Sequence, residues 1–224
     1  MSIKLKALGL GLVAAMAMGA LAVVNASATV GGHFESEVEH TIIKGVENGF
    51  PHDLEFQGPS GEPLTCTIAE YNGTIVPKTV QTVQVSAFYD ECSTGGEPPH
   101  EAVVHMNECT YTISSYNAAT TKHGTVAIDC PTGKNIVITH QGCEITVPAQ
   151  KPGEGTITGG VTFATEGSGK THSLTMNVTL HEITAFYHNG LCLFLGTNKK
   201  FSMNGAVTVK GFNTANEQVG ITHT

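Results

Sequence analysis

The chain has 224 residues and a formal net charge of −8, from 19 acidic residues against 11 basic ones, all of which are lysine. Nucleic-acid binding depends largely on neutralising phosphates, and arginine is the residue best suited to bidentate phosphate contacts. An acidic chain without arginine therefore argues against a nucleic-acid partner.

The first 28 residues predict a secretory signal peptide. Lys4 and Lys6 precede the uncharged run Ala7–Val24, and Ala26 and Ala28 are the small residues that a signal peptidase reads. An uncleaved membrane anchor is the alternative, but this run is near the lower length limit for spanning a bilayer. We expect cleavage after Ala28 and a protein that is secreted or associated with the cell envelope.

The mature chain of 196 residues, 224 minus 28, is predicted to form a single all-β domain over 29–224. Residues 148–155 are rich in Pro and Gly and are the best candidate for an internal boundary. Period-two alternation and turn residues indicate strands along its whole length. The predicted strands are Phe34–Lys44, Leu64–Tyr71, Thr79–Tyr89, Ala102–Met106, Cys109–Ser115, Gly124–Cys130, Asn135–His140, Cys143–Val147, Thr156–Thr165, Thr171–Tyr187, Phe201–Phe212 and Gln218–Thr222, with Leu54–Gln57 as a further short candidate.

Two details of this pattern carry specific expectations. In Phe34–Lys44 the alternation places Phe34 and Ile42 on one face and Thr41 on the other. Asn72-Gly73 is typical of a two-residue hairpin turn. No helical periodicity follows the signal peptide, so we predict an antiparallel β-sandwich or barrel-like fold of about ten to twelve strands.

The six cysteines all lie in the mature chain, and an even number in an exported protein predicts three disulfides. Antiparallel pairing of 109–115 with 124–130 places Cys109 opposite Cys130, and it stacks the apolar residues of both strands on one face. This register predicts a Cys109–Cys130 disulfide. The other two pairs, Cys66–Cys92 and Cys143–Cys192, follow only by elimination.

Two motifs resemble functional signatures but occur in the wrong context. Residues 164–171 end in Gly-Lys-Thr like a phosphate-binding loop, yet strand alternation follows where that loop requires a helix. We therefore expect no nucleotide binding. His100 and His105 are separated by five positions, whereas the helical zinc-protease motif needs four.

The eleven histidines are scattered along the chain, so a metal site could form only by convergence in space. Neither metal ligands nor catalytic residues can be assigned from the sequence, and no cofactor is expected.

Several short motifs follow the signal in a fixed order: Glu37–Thr41, Leu64–Thr67, Asn107–Tyr111, Cys130-Pro131 and Val207–Gly211. In this order the chain resembles a group of uncharacterised exported proteins of actinobacterial genomes. That group has no known activity, so the resemblance implies export and a disulfide-bearing β fold and nothing catalytic.

The sequence thus favours an exported, non-enzymatic β-module with a binding or structural role. Its partner would be an extracellular protein, a glycan or a component of the cell envelope. The alternative is a secreted hydrolase or metal-dependent enzyme that brings dispersed histidines and carboxylates together. A concave pocket with several converging histidines or acids would favour the enzyme, and exposed loops or a sheet face without such a cluster would favour the binding module.

Overall fold

A computed structural model describes residues 31–47, 54–57, 63–95, 100–118, 121–153, 157–188, 192 and 196–224. The predicted signal peptide, residues 1–28, lies outside these ranges. In the part of the chain that they cover, no helix has the length and apolar character needed to cross a membrane.

Nearly all of the described residues lie in β-strands, and a short 3-10 turn at Gly169–Thr171 separates two of them. The strands are β1 (Phe34–Ser36), β2 (Thr41–Glu47), β3 (Leu54–Gln57), β4 (Pro63–Ile75), β5 (Thr79–Val80), β6 (Thr82–Thr94), β7 (His100–His105), β8 (Thr110–Ala118), β9 (Thr121–Asp129), β10 (Ile136–His140), β11 (Cys143–Val147), β12 (Thr158–Glu166), β13 (Ser173–His188), β14 (Gly196–Phe212), β15 (Gln218–Val219) and β16 (Ile221–His223).

The main sheet closes on itself twice. Four long strands, β4, β6, β13 and β14, take part in both closures. In one ring they are joined by β2, β8, β9 and β12, and in the other by β3, β7, β10 and β11. We call the first ring the capped half of the barrel and the second the far half. Every pairing is antiparallel, so the predicted all-β, barrel-like fold class is confirmed.

In three long strands the alternation of inward-facing and outward-facing residues shifts by one position. The shift occurs where the strand leaves its neighbours in one ring and meets those of the other ring. The buried residues on either side of the shift are Cys66 and Ala69 in β4, Tyr89 and Cys92 in β6, and Leu180 and Ile183 in β13. Glu91 and Glu182 adopt positive φ values of 49° and 57° within these shifts. Such bulges bend a strand and re-aim its side chains, and they allow one strand to serve both rings.

A small sheet covers the end of the capped half. Its strand order is β16-β1-β5, and Phe34 of β1 pairs with His223 on one side and Val80 on the other. Phe34 and Ile221 are buried beneath it against the barrel interior. We call this three-stranded sheet the cap.

Three disulfides are present, and they pair Cys66 with Cys92, Cys109 with Cys130, and Cys143 with Cys192. The predicted register of β8 and β9 is confirmed, since Tyr111 lies opposite Ile128 and Ile113 opposite Val126. Three disulfides are typical of a chain that folds in an oxidising compartment.

The prediction of one continuous strand over Phe34–Lys44 is wrong. β1 ends at Ser36, the chain bends through residues 37–40 as it passes from the cap to the barrel wall, and β2 begins at Thr41. The side chains of Ser36 and Thr41 hydrogen-bond across the bend, and His40 within it has a φ of 55°. The bend exchanges the inward-facing and outward-facing positions, so that Thr41 is fully buried and Ile42 is 38% exposed.

The predicted hairpin turn at Asn72-Gly73 is also wrong, because both residues lie inside β4. Gly73 pairs with Ile43 of β2 and with Val85 of β6. A Cβ atom at Gly73 would lie 2.6 Å from the carbonyl oxygen of Gln84. The glycine therefore permits close strand packing rather than a turn.

The predicted internal boundary, residues 148–155, links β11 of the far half to β12 of the capped half. Gln150 bridges the backbone of Ile128, and its side-chain oxygen accepts a hydrogen bond of 2.9 Å from the N–H of Thr184. The described part of this segment is thus fastened to the barrel wall. Residues 154 and 155 lie outside the described ranges, and the number of domains stays a prediction.

Candidate functional site

The interior of the capped half contains two neighbouring apolar cavities. The first, of about 20 Å³, lies beneath the cap and is roofed by Phe34 and Ile221. The second, of about 30 Å³, lies deeper in the barrel and is bordered by Met203. Both are lined by Val85, Ile113 and Met176, so these three side chains lie between the two cavities.

The lining follows from the alternation of the long strands. Leu174, Met176 and Val178 of β13 face inward at every second position, and Val207 and Val209 of β14 face them. An eight-stranded barrel has an interior that side chains can fill or that can hold one small ligand. Here the side chains fill most of it.

Three tyrosines, Tyr71, Tyr89 and Tyr111, form a cluster of neighbouring hydroxyl groups beside the deeper cavity. The Tyr89 hydroxyl donates a hydrogen bond of 3.0 Å to the Tyr111 hydroxyl and lies 3.4 Å from that of Tyr71. Tyr71 and Tyr111 line the cavity itself. Burial, reinforced by the neighbouring phenols, raises the pKa of Tyr89 well above its usual value, and burial raises the pKa of Tyr111 to about 12. The cluster is therefore neutral and offers hydroxyl groups, not charge.

The cap is fastened to the barrel wall through His223. Its ring is fully buried, stacked on Phe163 of β12 with ring centroids 4.3 Å apart, and its Nε2 atom hydrogen-bonds the Ser115 hydroxyl of β8. Lys122 of β9 donates from Nζ to the His223 carbonyl oxygen. The other ring nitrogen, Nδ1, is buried and has no hydrogen-bond partner in the part of the chain that the structure describes.

This environment disfavours the charged form of the imidazole. Burial, followed by the nearby positive charges of Lys122 and His33, lowers the pKa of His223 to about 4. His33 in turn contacts the Glu35 carboxylate at 2.8 Å and the Thr224 hydroxyl at 2.9 Å.

Ser115 and His223 together resemble a nucleophile and its general base. A catalytic pair of this kind needs access for substrate and a third group that orients the imidazole. Here Ser115 is 9% exposed and His223 is fully buried, and none of the described residues hydrogen-bonds Nδ1 to orient the ring. The geometry fits a structural hydrogen bond between the cap and the wall.

The other histidines that the structure describes do not converge on one site. The His100 and His140 rings lie 5.9 Å apart, and His140 bonds the Thr94 hydroxyl, while His188 bonds Thr146. Among the described residues, no group of three or more His, Cys, Asp or Glu side chains is placed to hold a metal ion. The glycine-rich segment before Lys170 is the turn between β12 and β13, and a strand follows it as expected.

All six cysteines named from the sequence are in disulfides, and none of them is in the cap. Sequence reasoning missed the cap and the importance of Ser115 and His223. The one signal in the sequence is the alternation through Val219, Ile221 and His223, which places His223 on the same face of the strand as the two apolar residues.

A scan against protein-family models gave no match for this chain, and searches of curated proteins and of solved structures gave none either. The functional argument therefore rests on the geometry of the barrel.

Proposed function

We propose that the protein is an exported, non-catalytic binding module whose barrel holds a small apolar molecule beneath the cap. The observation that carries this proposal is the pair of neighbouring apolar cavities that share Val85, Ile113 and Met176. Apolar pockets with a few converging polar groups are the usual form of small-molecule sites in proteins.

The size and shape of the cavities favour a narrow ligand. Both volumes, about 20 and 30 Å³, fall well short of the roughly 150 Å³ cavity that accommodates benzene. An unbranched carbon chain also exceeds these volumes, but it is narrower than a ring and would displace the lining less as it passes through two small cavities in succession. Met176 and Met203 can make room for it, because methionine is unbranched and adapts to irregular spaces.

The tyrosine cluster suggests how such a chain would be oriented. Tyr71 and Tyr111 line the deeper cavity, and their hydroxyl groups contact that of Tyr89. Because the wall of this cavity is almost wholly apolar, a hydroxyl or carbonyl oxygen at the end of the chain would hydrogen-bond to the cluster only after a tyrosine side chain has moved, and it would bring no charge into the barrel. A carboxylate would carry the cost of burying an unpaired charge.

Export supports an extracellular or cell-envelope setting for this binding. The proposal combines the signal pattern of residues 1–28 with the three disulfides of the mature chain. The resemblance to exported actinobacterial proteins is consistent with it. A ligand drawn from the cell envelope would satisfy both the apolar interior and the expected location.

The test is titration with octan-1-ol, followed by calorimetry and by the methyl resonances of Met176 and Met203. We expect saturable binding that shifts both methyl signals. Met176→Ala enlarges the space between the two cavities, and it should tighten octanol binding.

Phe88→Ala is the matched control. Phe88 is 54% exposed on the outer face of β6 and should not affect a ligand held inside. If octanol binding disappears in Phe88→Ala, or leaves both methionine methyl signals unchanged, the interior site is refuted.

Among the described residues, no cluster of side chains favours the alternative of a secreted hydrolase or metal-dependent enzyme. Its best candidate pair, Ser115 and His223, is covered by the cap. Hydrolysis that is lost in Ser115→Ala while octanol binding persists would revive it.

A further inference from the structure

We propose that the cap is an acid-operated lid, in which protonation of His223 detaches β16 and β1 from the barrel wall and opens the apolar interior. The inference deepens the proposed function, on which it rests, by assigning a control to the same site. It is carried by the position of His223, which joins the lid to three different strands of the wall.

The first step is the location of the imidazole. His223 contacts Phe163 of β12 through its ring face, Ser115 of β8 through Nε2, and Lys122 of β9 through its carbonyl oxygen. Its backbone N–H also points to the Thr165 hydroxyl at 3.4 Å. One residue thus holds much of the contact between the cap and the wall.

The second step is the absence of any means to accommodate a proton. A protonated imidazole has two N–H donors, and Nδ1 in its buried position has no hydrogen-bond partner among the described residues. The charged groups near it are Lys122 on β9 and His33, which immediately precedes β1, both of the same sign as an imidazolium. Within the described part of the chain, the ring hydrogen-bonds no carboxylate: Nε2 is bonded to Ser115, and Glu35, the acidic residue of β1, contacts His33.

The third step is what opening would expose. Phe34 pairs with His223, and Phe34 and Ile221 roof the first cavity. β1 and β16 have only three residues each, so few backbone hydrogen bonds resist their release. When the imidazole becomes charged, it gains hydration only by leaving this pocket, and the roof leaves with it.

Amide hydrogen exchange on the ligand-free protein tests the lid directly. The N–H groups of His33 and Thr224 bond each other's carbonyl oxygens within the cap at 2.9 and 3.0 Å. Ile128 and Gln150 form the same kind of reciprocal pair outside it, at 2.9 Å each, and serve as the reference.

After correction for intrinsic exchange, we expect the opening equilibrium at His33 and Thr224 to rise on the order of 100-fold between pH 7 and pH 4. The reference pair should not respond. An equal rise at both pairs would mean global unfolding and would overturn the inference.

Substitutions assign the response to one residue. His223→Gln keeps a hydrogen-bonding side chain, and His223→Phe keeps a ring that can stack on Phe163. If the first does not fold, the second still removes the titrating group. In either variant, cap exchange should become independent of pH.

Glu35, Glu37 and His33 are further ionisable groups of the cap region; Glu37 accepts a hydrogen bond of 3.2 Å from the Gly220 N–H, and His33 contacts Glu35. Glu35→Gln, Glu37→Gln and His33→Gln should all retain the acid response. If any of these three variants abolishes it while His223→Gln retains it, the switch has been assigned to the wrong group.

Octanol entry separates this inference from the proposed function. Faster entry at pH 4 than at pH 7, lost in His223→Gln, supports both. Cap exchange that responds to acid in a protein that binds no octanol overturns the proposed function alone. If octanol binds at the same rate at every pH and amide exchange in the cap does not respond to acid, the acid-operated lid alone is overturned.

Discussion

The far half of the barrel and the cap are held in place by different means. The far half carries the Cys66–Cys92 disulfide between β4 and β6, and Cys143 of the third disulfide begins β11. In the capped half the Cys109–Cys130 disulfide links the ends of β8 and β9, but the cap itself is attached through buried polar side chains: Ser36, Thr41, Ser115 and His223 are all 9% exposed or less. Hydrogen bonds among such groups depend on protonation and on single side chains, whereas disulfides do not.

The difference predicts where the molecule opens first. Proteins open locally in cooperative units whose free energies lie below that of global unfolding. A cap of short strands attached through hydroxyl and imidazole groups is such a unit, while the far half is restrained covalently. We therefore expect the far half to stay closed under conditions that open the cap. Substitutions in either part can test this difference.

The largest effect is expected when the far half loses its covalent link. Cys66→Ala/Cys92→Ala releases a loop with a sequence separation of 26 residues. The chain-entropy model gives a loss of about 3 kcal/mol in the free energy of unfolding. Urea unfolding measures the loss, and amide exchange should show β7 and β10 opening more than β1 and β16. Preferential opening of the cap in this variant would contradict the comparison.

The second effect is a pH dependence of the free energy of unfolding that arises from His223 at the capped end. The pKa of His223 is lowered to about 4 in the folded protein, against about 6.5 in an unfolded chain. The unfolded state therefore binds the proton more readily, and stability is complete above pH ~6.5, falls as the pH drops, and levels off below pH ~4.

The contribution of His223 over this interval amounts to at most about 3 kcal/mol, since each pKa unit corresponds to about 1.4 kcal/mol. Urea midpoints measured across the interval for the native chain and for His223→Gln isolate it. A variant that keeps the full pH dependence would show that other groups produce it.

Sequence reasoning predicted the parts of this architecture that depend on local alternation. The Cys109–Cys130 pairing followed from one register because a one-residue slip would have moved Tyr111 and Ile113 to the outer face. Most strands of the far and capped halves were predicted for the same reason. Alternation between inner and outer faces is a property of neighbouring residues and is visible in the chain.

The capped end was not predictable in this way. The bend after Ser36 depends on a hydrogen bond to Thr41 and on the Gly220 N–H, which belongs to the other end of the chain. Gly73 looks like a turn residue because the carbonyl oxygen of Gln84 that explains it lies on another strand. His223 is buried only because Phe163 and Ser115 surround it. Each of these features is decided by contacts distant in sequence.

A third, smaller effect is expected at the seam between β9 and β12, which closes the capped half with two residue pairs. A Cβ atom at Gly160 would lie 2.4 Å from the carbonyl oxygen of Gly124. Gly160→Ala should force the seam apart and cost about 2 kcal/mol. Gly95→Ala is the control, because its Cβ would meet only Pro63 Cδ at an ordinary 3.6 Å. Equal urea midpoints for the two variants would show that the seam does not restrain the capped half.

The smallest effect compares two adjacent serines on β8. Ser115 is buried and bonds His223, whereas Ser114 lies on the exposed face and bonds the Thr82 hydroxyl at 3.2 Å. Ser115→Ala leaves the imidazole without a hydrogen bond on either nitrogen, and it should cost about 1 kcal/mol because a buried polar group is left unsatisfied. Ser114→Ala should change stability by less than about 0.5 kcal/mol, since water replaces the lost partner.

The two variants differ by one position and remove the same atoms, so composition and strand propensity cancel in the comparison. Exchange at the His33 and Thr224 amides should rise in Ser115→Ala and stay unchanged in Ser114→Ala. If both variants leave the cap amides unaffected, the Ser115 hydroxyl does not fasten the cap. Attachment would then rest on the stacking of His223 on Phe163 and on the hydrogen bond from Lys122.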